Sequence, residues 1–529
     1  MSRHLVFCYL TCLLLFVNCT GDGDNSDDRH STFGKYVYAI DTLKLCDHLS
    51  QLLKEDSSWS ALTTFWLCDA AVADYYSGAS TFHGVWHTRA GFSADADSLL
   101  TFLRKTLPAH GLDTTAFLVP QIAADLGVVH RLATDSAETD INLLLPRLDY
   151  HLSKAYLRYT VAQRFGCLRP EKLFNHLDYR EEKKCYATLF DYQLAQTDLT
   201  ESLHILTSAP AGPQDGVSEI SDRLKFLESS APTSRLYQTL QRLLVNASPA
   251  DRRRLSVNME RCRWRTGLDM ESEDRQIVVN LPAQRLWAVS EDTVLTMLIC
   301  CGAVTNKTPL LHSTFTYMQV NPQWIVPQNI VESDFLRHVG DSAFFARNQY
   351  FITVRGESDT IPVSSVTEED LKSDHLRITQ ERGPGNSLGR LVFRFPNSFA
   401  VYLHDTNNRN AFRRERRTLS HGCIRVEKPF ELARFLLPDA DDWTLDKIRL
   451  SIDMAPETEQ GKKYAEKHAE DPRPWNLLSY YKMTTKTPLH IVYYTVFPNP
   501  STGAVETWPD LYDYDSAMAR ALSNIIDSH

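Results

Sequence analysis

The sequence has no surplus of positive charge and no paired Cys-X-X-Cys motifs. Its 56 Lys and Arg residues are outnumbered by 66 Asp and Glu residues, which gives a formal net charge of -10. Proteins that bind nucleic acid along the phosphate backbone carry a basic surplus, so a general nucleic-acid binder is disfavoured and any basic site must be local. The usual pattern of zinc-binding modules is also missing.

The sequence also lacks apolar runs that span a bilayer comfortably. The run at residues 5–17 is short for a transmembrane helix and fits the core of a signal peptide. We therefore predict residues 1–19 as a leader, 20–40 as a linker, and a mature protein in the periplasm or cell envelope. Two outcomes stay open at Cys19: a lipid anchor on this cysteine, or plain cleavage to a soluble periplasmic protein.

The chain is long enough for two or three packed units, with 529 residues. Residues 41–265 repeat apolar side chains at steps of three and four, which predicts a helical domain. Ser248, Pro249 and Asp251 predict the start of one helix, with Ser248 as its cap. Because this region has few clusters of titratable side chains, we interpret it as a scaffold.

After residue 265 the pattern becomes that of β-strands. The predicted strands are 276–289, 294–301, 314–320, 391–395, 399–403 and 489–496. We predict an α+β multidomain fold, in which a mainly β domain at 270–453 follows the helical scaffold and 454–529 completes the two. A polar, poorly periodic insertion at 334–381 predicts a lid or binding loop, with a disordered excursion as the alternative.

Cys423 is the strongest candidate for a catalytic group. A nucleophilic cysteine needs a favoured thiolate, a nearby base and backbone N–H groups to receive an oxyanion. Gly422 allows a sharp turn, and a predicted helix at 428–437 would favour the thiolate if its positive end were close. His404 and His421 are both candidates for the base, and the residue pattern alone does not rank them.

The segment between the two histidines reverses the overall charge. Its five arginines stand against two acidic residues; they are Arg409, Arg413, Arg414, Arg416 and Arg417, against Asp405 and Glu415. This local excess predicts an anionic substrate, with a solvated loop as the alternative. Arg425, two residues after Cys423, is placed to clamp a substrate carboxylate with two hydrogen bonds.

Together these motifs resemble a known family. His404-Asp405-Thr406 and Ser420-His421-Gly422-Cys423-Ile424-Arg425 resemble the signature of the L,D-transpeptidases with a YkuD catalytic domain. Further segments resemble the large YcbB-like branch of that family: 257–261, 307–309, 321–327, 383–390, 395–397 and 488–522.

The resemblance implies roles for the residues of this signature. Cys423 would be the nucleophile and His404 the base, with His421 supporting the site. Backbone amides near Gly422 and Cys423 would form the oxyanion hole, and Ser420 would support it.

The resemblance also implies a substrate and a reaction. Cys423 would attack the carbonyl between the L-centre of diaminopimelate and the terminal D-Ala of a peptidoglycan tetrapeptide stem. D-Ala would leave, and a side-chain amine of a neighbouring stem would resolve the thioester into a 3→3 cross-link. Arg425 and Asp405 would contact the substrate, and 334–381 would cap it. No cofactor or metal is expected, because acyl transfer needs only a nucleophile and proton shuttling.

Several alternatives stay open. Water could resolve the thioester, which would make the protein an L,D-carboxypeptidase, or it could bind the wall without catalysis. A metal site built from His404, His421 and Cys423 is a weaker alternative. The interval between 236 and 276 is too short for the peptidoglycan-binding module of many relatives, so anchoring would come from the scaffold, the lid or a lipid. Cell-wall synthases are candidate partners.

Overall fold

The computed structural model describes residues 36, 39–55, 59–77, 84–88, 91–132, 139–177, 194–208, 221–264, 274–473 and 475–526. The predicted leader, the lipid site at Cys19 and most of the predicted linker lie outside the described residues. Of the helices in the described ranges, none has both the length and the apolar character needed to cross a membrane.

The predicted helical N-terminal domain is confirmed. Its helices are α1 (Thr42–Glu55), α2 (Phe65–Ser77), α3 (Ala94–Ala109), α4 (Val119–Val129), α5 (Ile141–Phe165), α6 (Pro170–Leu177), α7 (Thr200–Ser208), α8 (Asp222–Ser229), α9 (Arg235–Leu244) and α10 (Pro249–Arg263), with a small hairpin of β1 (His87–Thr88) and β2 (Gly91–Phe92). Helix α5 is buried on nearly all sides and forms the centre. Helix α10 begins as predicted, because the Ser248 hydroxyl accepts a hydrogen bond from the Asp251 N–H.

The second half is mainly β, as predicted. Its strands are β3 (Gln276–Asn280), β4 (Arg285–Val289), β5 (Val294–Gly302), β6 (Leu311–Thr314), β7 (Tyr317–Val320), β8 (Trp324–Ile325), β9 (Tyr350–Val354), β10 (Thr360–Ile361), β11 (Leu376–Gln380), β12 (Leu391–Arg394), β13 (Leu403–His404), β14 (Thr418–Ser420), β15 (Ile424–Val426), β16 (Tyr480–Lys482), β17 (Pro488–Val492), β18 (Val496–Pro498) and β19 (Val505–Thr507). Its helices are α11 (Gln328–Ile330), α12 (Ser342–Arg347), α13 (Glu368–Lys372), α14 (Pro429–Leu436), α15 (Asp442–Ser451), α16 (Glu459–Lys467) and α17 (Tyr514–Ala521).

Eleven of these strands form one sheet. Ten of them lie in the order β16-β7-β12-β13-β15-β5-β4-β3-β17-β6. The eleventh, β14, pairs with the last residues of β5, past the part of β5 that pairs with β15. Strand β13 runs parallel to β15, whereas β15 and β4 run antiparallel to β5. The sheet therefore brings chain segments that are far apart in sequence to its middle.

Four predicted strands are shorter or broken, among them 314–320, of which Tyr317–Val320 forms β7 and Thr314 belongs to β6. The run 276–289 is a hairpin of β3 and β4, since Pro282 cannot donate to a ladder and Gln284 has a positive φ of 49°. The run 399–403 is extended only at its end, because Ala400 has a φ of 56°. The run 489–496 is divided into β17 and β18.

The insertion is a folded cap rather than a disordered excursion, and it begins at Trp324 instead of residue 334. Its sheet has the strand order β10-β9-β11-β8. Apolar side chains give it a core of its own, made of Val326, Val331, Phe335, Phe345, Ile352, Val366, Leu371, Leu376 and Ile378. The sequence pattern did not indicate this core, because its residues are spread over several short strands and helices. We call residues 324–380 the lid.

The C-terminal segment enters both halves of the molecule. Strand β17 lies inside the main sheet between β3 and β6, and β16 extends the sheet next to β7. Helix α17 packs on α10, where Arg261 forms an ion pair with Asp515 at 2.6 Å. The Asn258 amide donates to the Thr495 hydroxyl at 2.8 Å. These contacts fix the C-terminal segment against α10, the last helix of the N-terminal domain.

Candidate active site

Two neighbouring parallel strands position Cys423 and His404. Cys423 directly precedes β15, and in the β13–β15 register Leu403 lies opposite Ile424 while His404 lies opposite Arg425. Leu403 and Ile424 are buried in the main core. Because side chains alternate along a strand, Cys423, His404 and Arg425 project from the other face. From strand spacing and rise, the Cα atoms of Cys423 and His404 are roughly 8 Å apart, a distance that their side chains can bridge.

Tyr402 is a site residue that the sequence reasoning missed. Two positions before His404, it projects from the same face and packs with Cys423, Leu388 and Val392. Its hydroxyl lies beside the Cys423 thiol, and burial raises the pKa of this phenol, so it remains a hydrogen-bond donor. The two-residue step from His404 along a strand was the signal that could have found it.

The surroundings keep the Cys423 thiol protonated in the resting site. Burial raises the pKa of this thiol, and the backbone and hydroxyl of Tyr402 with the charges of Arg394 and Arg425 only partly oppose that rise. The predicted effect of a helix end is wrong. Helix α14 begins at Pro429, after the residues of β15, and a three-residue strand spans about 10 Å.

His404 is held in its neutral form. Burial, together with the positive charge of Arg425, lowers the pKa of this imidazole to about 3. Its Nδ1 atom is buried and has no hydrogen-bond partner among the described residues. A neutral imidazole beside a protonated thiol can accept the thiol proton during attack.

Ser420 fixes the turn that carries Cys423. Its hydroxyl donates to the Cys423 carbonyl oxygen at 2.5 Å and accepts from the Gly422 N–H at 3.2 Å. Gly422 has a φ of +115°, a region that L side chains rarely adopt. The Gly422 N–H therefore points to Ser420 in this conformation, whereas the Cys423 N–H makes no backbone hydrogen bond to a described residue.

A second hydrogen-bond network supports the turn from behind. The Thr308 hydroxyl donates to the Gly422 carbonyl oxygen at 2.8 Å and accepts from the Gly302 N–H at 2.9 Å. The Tyr512 hydroxyl donates to the Gly302 carbonyl oxygen at 2.7 Å. These contacts join three distant parts of the chain, so no local sequence signal could have shown them.

His421 faces the lid. Its Nε2 atom lies 3.7 Å from a carboxylate oxygen of Asp334. The side chains of His421 and Asp334 are both more than one-third exposed, at 35% and 41%. The structure therefore brings His421 to the edge of the site, next to the lid, while His404 shares the face of Cys423.

The Asp405 carboxylate is engaged by the protein itself. It accepts a hydrogen bond from the Arg390 N–H at 2.8 Å and lies 3.3 Å from the Arg409 guanidinium. Burial raises the pKa of this carboxyl. Gly389, with a φ of +65°, leaves room for it, since a Cβ there would come within 2.4 Å of the carboxyl carbon. Asp405 thus holds the loop at 383–390; its predicted contact with substrate stays a prediction.

Arg425 is half-buried beside the reacting groups. Its Nε atom is buried and has no hydrogen-bond partner among the described residues. Its charge lowers the pKa values of both His404 and Cys423. A partly buried guanidinium with an unused donor is suited to a carboxylate, and this predicted role stays a prediction.

The arginine-rich segment divides into buried and exposed members. Arg417 is buried and donates to main-chain carbonyl oxygens of Ile299, Arg414, Glu415 and Gln284. Arg417 is therefore part of the fold. The other four arginines are exposed at the surface: Arg409, Arg413, Arg414 and Arg416.

The described residues contain no group of three or more His, Cys, Asp or Glu side chains placed to hold a metal ion. His404 and Cys423 share one face of the sheet, whereas His421 lies next to the lid carboxylate of Asp334.

Comparison with known proteins gives three matches. Residues 274–491 match the family model described as YkuD, the L,D-transpeptidase catalytic domain. Residues 70–214 match the family model described as a Scaffold domain. A Haemophilus influenzae protein with the name "Putative L,D-transpeptidase" is 26% identical over 369 residues, which cover 68% of this chain and 68% of that relative. The first match contains Cys423 and the other predicted site residues.

Proposed function

We propose that this chain is an L,D-transpeptidase that forms 3→3 cross-links between peptidoglycan stem peptides. The match of residues 70–214 to a Scaffold domain, the match of residues 274–491 to the YkuD catalytic domain and the similarity to a relative named as an L,D-transpeptidase support this proposal. The donor is a tetrapeptide stem, the leaving group is its terminal D-Ala, and the covalent intermediate is a thioester of Cys423. The observation that carries this proposal is the shared face of Cys423 and His404 in the β13–β15 register.

The first half-reaction acylates the enzyme. The neutral His404 takes the thiol proton as the Cys423 sulfur attacks the carbonyl carbon before D-Ala. A tetrahedral oxyanion forms, and we assign its stabilisation to the Cys423 N–H and the Tyr402 hydroxyl. The C–N bond then breaks, the imidazolium returns its proton to the departing D-Ala amine, and the acyl group remains on sulfur as a thioester.

The second half-reaction transfers the acyl group. The side-chain amine of an acceptor stem attacks the thioester carbonyl carbon while His404 removes a proton from that amine. The C–S bond breaks, and the sulfur of Cys423 takes the proton back from His404. Both halves use the same two groups, so no further proton carrier is required.

The position of the lid favours transfer of the acyl group to an amine rather than to water. Trp324 of the lid packs with Cys423 around Leu388, Val392 and Tyr402. Apolar groups beside the sulfur limit the access of water to a thioester. We therefore favour transpeptidation, and hydrolysis by water would define the carboxypeptidase alternative.

The test is an assay on purified tetrapeptide muropeptides followed by mass spectrometry. Wild-type protein is expected to release D-Ala and form cross-linked dimers, and Cys423→Ala is expected to do neither. Cys46→Ala, a change at a half-buried cysteine of α1, is the matched control and should retain both products. Tripeptides without dimers would contradict transpeptidation, and D-Ala release by Cys423→Ala would contradict the assigned nucleophile.

The site of action follows from the substrate. We propose that the protein works in the periplasm or at the cell envelope, where stem peptides are found, and that residues 1–19 direct it there. Fractionation of cells that express the full chain tests this proposal, because recovery in the cytosol would contradict it. Cys19→Ala separates the two anchoring alternatives, since loss of membrane association only in this variant indicates a lipid.

A further inference from the structure

The arginine-rich segment covers one flank of the nucleophile. Its middle forms a 3-10 helix, Arg409–Arg413, that packs on β5. Ala411 and Phe412 anchor it through contacts with Cys300 and Leu298. Cys300 lies opposite Arg425 in the β15–β5 pairing, so the segment sits on the face from which Cys423 projects. We call residues 409–417 the arginine loop.

The arginine loop reaches the edge of the reaction site. The thiol of Cys300 lies within the electrostatic influence of Arg425, Arg417 and Arg414, each of which lowers its pKa against the dominant effect of burial. Arg414 and Arg417 of the arginine loop and Arg425 therefore act on the same side chain, Cys300, and Arg425 also acts on Cys423 and His404.

Three arginine side chains of the arginine loop are placed to bind an external partner. Arg413, Arg414 and Arg416 are exposed, and none of them forms an ion pair with any residue in the described ranges. Their acidic neighbour Glu415 is also exposed and pairs with none of them. Unpaired cations clustered next to a reaction site attract anions from solution.

The lid occupies the opposite flank. It is inserted between β7 and β12, on the far side of β13 from the arginine loop. Its own contribution near the nucleophile is aromatic and acidic, through Trp324 and Asp334. Cys423 thus has one flank covered by the lid and one open, basic flank.

The two half-reactions require different environments for the donor and the acceptor, and the two flanks of Cys423 differ in the same way. The donor must be enclosed, because its thioester has to survive until an amine arrives. The acceptor must enter from solution at the position that D-Ala has left. The acceptor is an anion, because stem peptides carry several carboxylates. An exposed basic surface speeds the arrival of such an anion, whereas an apolar lid does not.

We infer that Arg413, Arg414 and Arg416 form the docking surface for the acceptor stem, an anionic peptide whose carboxylates they bind before its amine attacks the thioester. This inference rests on the proposed transpeptidase function and adds the binding site of its second substrate. Arg425 lies at the inner end of this surface.

The test separates the two half-reactions in one assay. The triple variant Arg413→Gln, Arg414→Gln, Arg416→Gln is incubated with tetrapeptide muropeptides, and dimers, tripeptides and free D-Ala are counted by mass spectrometry. The ratio of dimers to tripeptides should fall about tenfold, since three surface ion pairs are lost. The first-turnover burst of D-Ala and the rate of covalent labelling by a carbapenem should stay within about twofold, because neither of these acylation steps uses the acceptor.

A matched control removes three exposed arginines elsewhere. Arg235, Arg253 and Arg254 lie exposed on α9 and α10, and their change to Gln lowers the net charge by the same amount. This control should keep the wild-type ratio. Added salt should lower the ratio for wild type and control, and should have little effect on the loop variant, because screening acts on exposed charges.

The outcomes distinguish this inference from the function on which it rests. Wild-type dimers with an unchanged ratio in the loop variant would overturn the acceptor surface alone. A loss of the first-turnover D-Ala burst or of carbapenem labelling as large as the loss of dimers would place the arginines in donor binding and would also overturn it. Wild-type tripeptides without dimers would overturn both the transfer reaction and its acceptor site.

Discussion

The hydroxyl of Thr308 donates a hydrogen bond of 2.8 Å to the carbonyl oxygen of Gly422, the residue before Cys423. Thr308 is fully buried and also accepts from the Gly302 N–H at 2.9 Å. This single side chain therefore connects the end of β5 to the turn at Gly422 and Cys423. Both of its hydrogen bonds support the turn in which Gly422 has a positive φ.

Thr308→Val should weaken both the fold and the site. It removes the hydroxyl with little change in shape and leaves a buried N–H and a buried carbonyl unpaired, so the free energy of unfolding should fall by about 2 kcal/mol. The rate of Cys423 labelling by a carbapenem should fall with it. Thr308→Ser keeps the hydroxyl and is the control. Full labelling by Thr308→Val would show that the turn holds its shape without this contact.

The rate of Cys423 acylation should have an unusual pH dependence. The pKa of His404 is lowered to about 3 from an ordinary value of 6.5, so acidification through 6.5 should not protonate it or slow the reaction. The thiol pKa is raised above 9.0, so the rate should increase towards alkaline pH as more thiolate forms. Carbapenem labelling over a pH series measures both effects, and an inflection near 6.5 would contradict a neutral buried base.

His404→Gln should lower the labelling rate by roughly 100-fold or more, the usual contribution of a positioned base. The loss should be smallest at alkaline pH, where thiolate forms without help. His421→Gln is the matched control, because His421 faces Asp334 rather than the nucleophile, and it should keep most of the rate. Equal losses in the two variants would remove the distinction between the histidines.

Gly389→Ala should destabilise the site more than an alanine at another left-handed glycine. A Cβ at Gly389 would lie 2.4 Å from the Asp405 carboxyl carbon, so the free energy of unfolding should fall by about 3 kcal/mol. Gly340 has a similar φ of +75° with nothing within 4 Å of its Cβ position, so Gly340→Ala should cost only about 1 kcal/mol. Denaturant unfolding compares them; equal losses would show that Asp405 moves aside easily.

His490→Phe should reduce the loss of stability in acid. Burial lowers the pKa of His490 to about 4, with help from His312, and both ring nitrogens are buried without a partner among the described residues. Between pH 6.5 and about 4, His490 is protonated in the unfolded chain but stays neutral in the folded protein. The free energy of unfolding therefore falls as the pH drops through this range. The variant should reduce this fall by on the order of 2 kcal/mol.

Thermal unfolding at a series of pH values measures the effect of His490→Phe. His204 is exposed, so His204→Gln is the control and should retain the wild-type slope. A wild-type slope in His490→Phe would show that this histidine is not part of the acid response.

The sequence predicted the class of the fold because hydrophobic period is a local property. The three-and-four repeat in residues 41–265 and the strand patterns after 265 both led to the observed elements. Helix α10 and helix α14 begin within a residue of their predicted positions, because capping side chains and proline act on their own neighbours. Errors arose where one residue broke a run, as Pro282 and Ala400 do.

The sequence by itself predicted the chemistry from a cysteine, two histidines and a local excess of arginine in one segment, with a family resemblance that ranked His404 above His421. Only the tertiary structure placed Tyr402 beside Cys423, turned His421 towards Asp334, and buried Arg417 while it left Arg413, Arg414 and Arg416 exposed. Side-chain identity is carried by the chain, whereas burial, pKa and direction depend on strand pairing between residues far apart in sequence. That pairing, rather than a helix end, sets the protonation of Cys423 and His404.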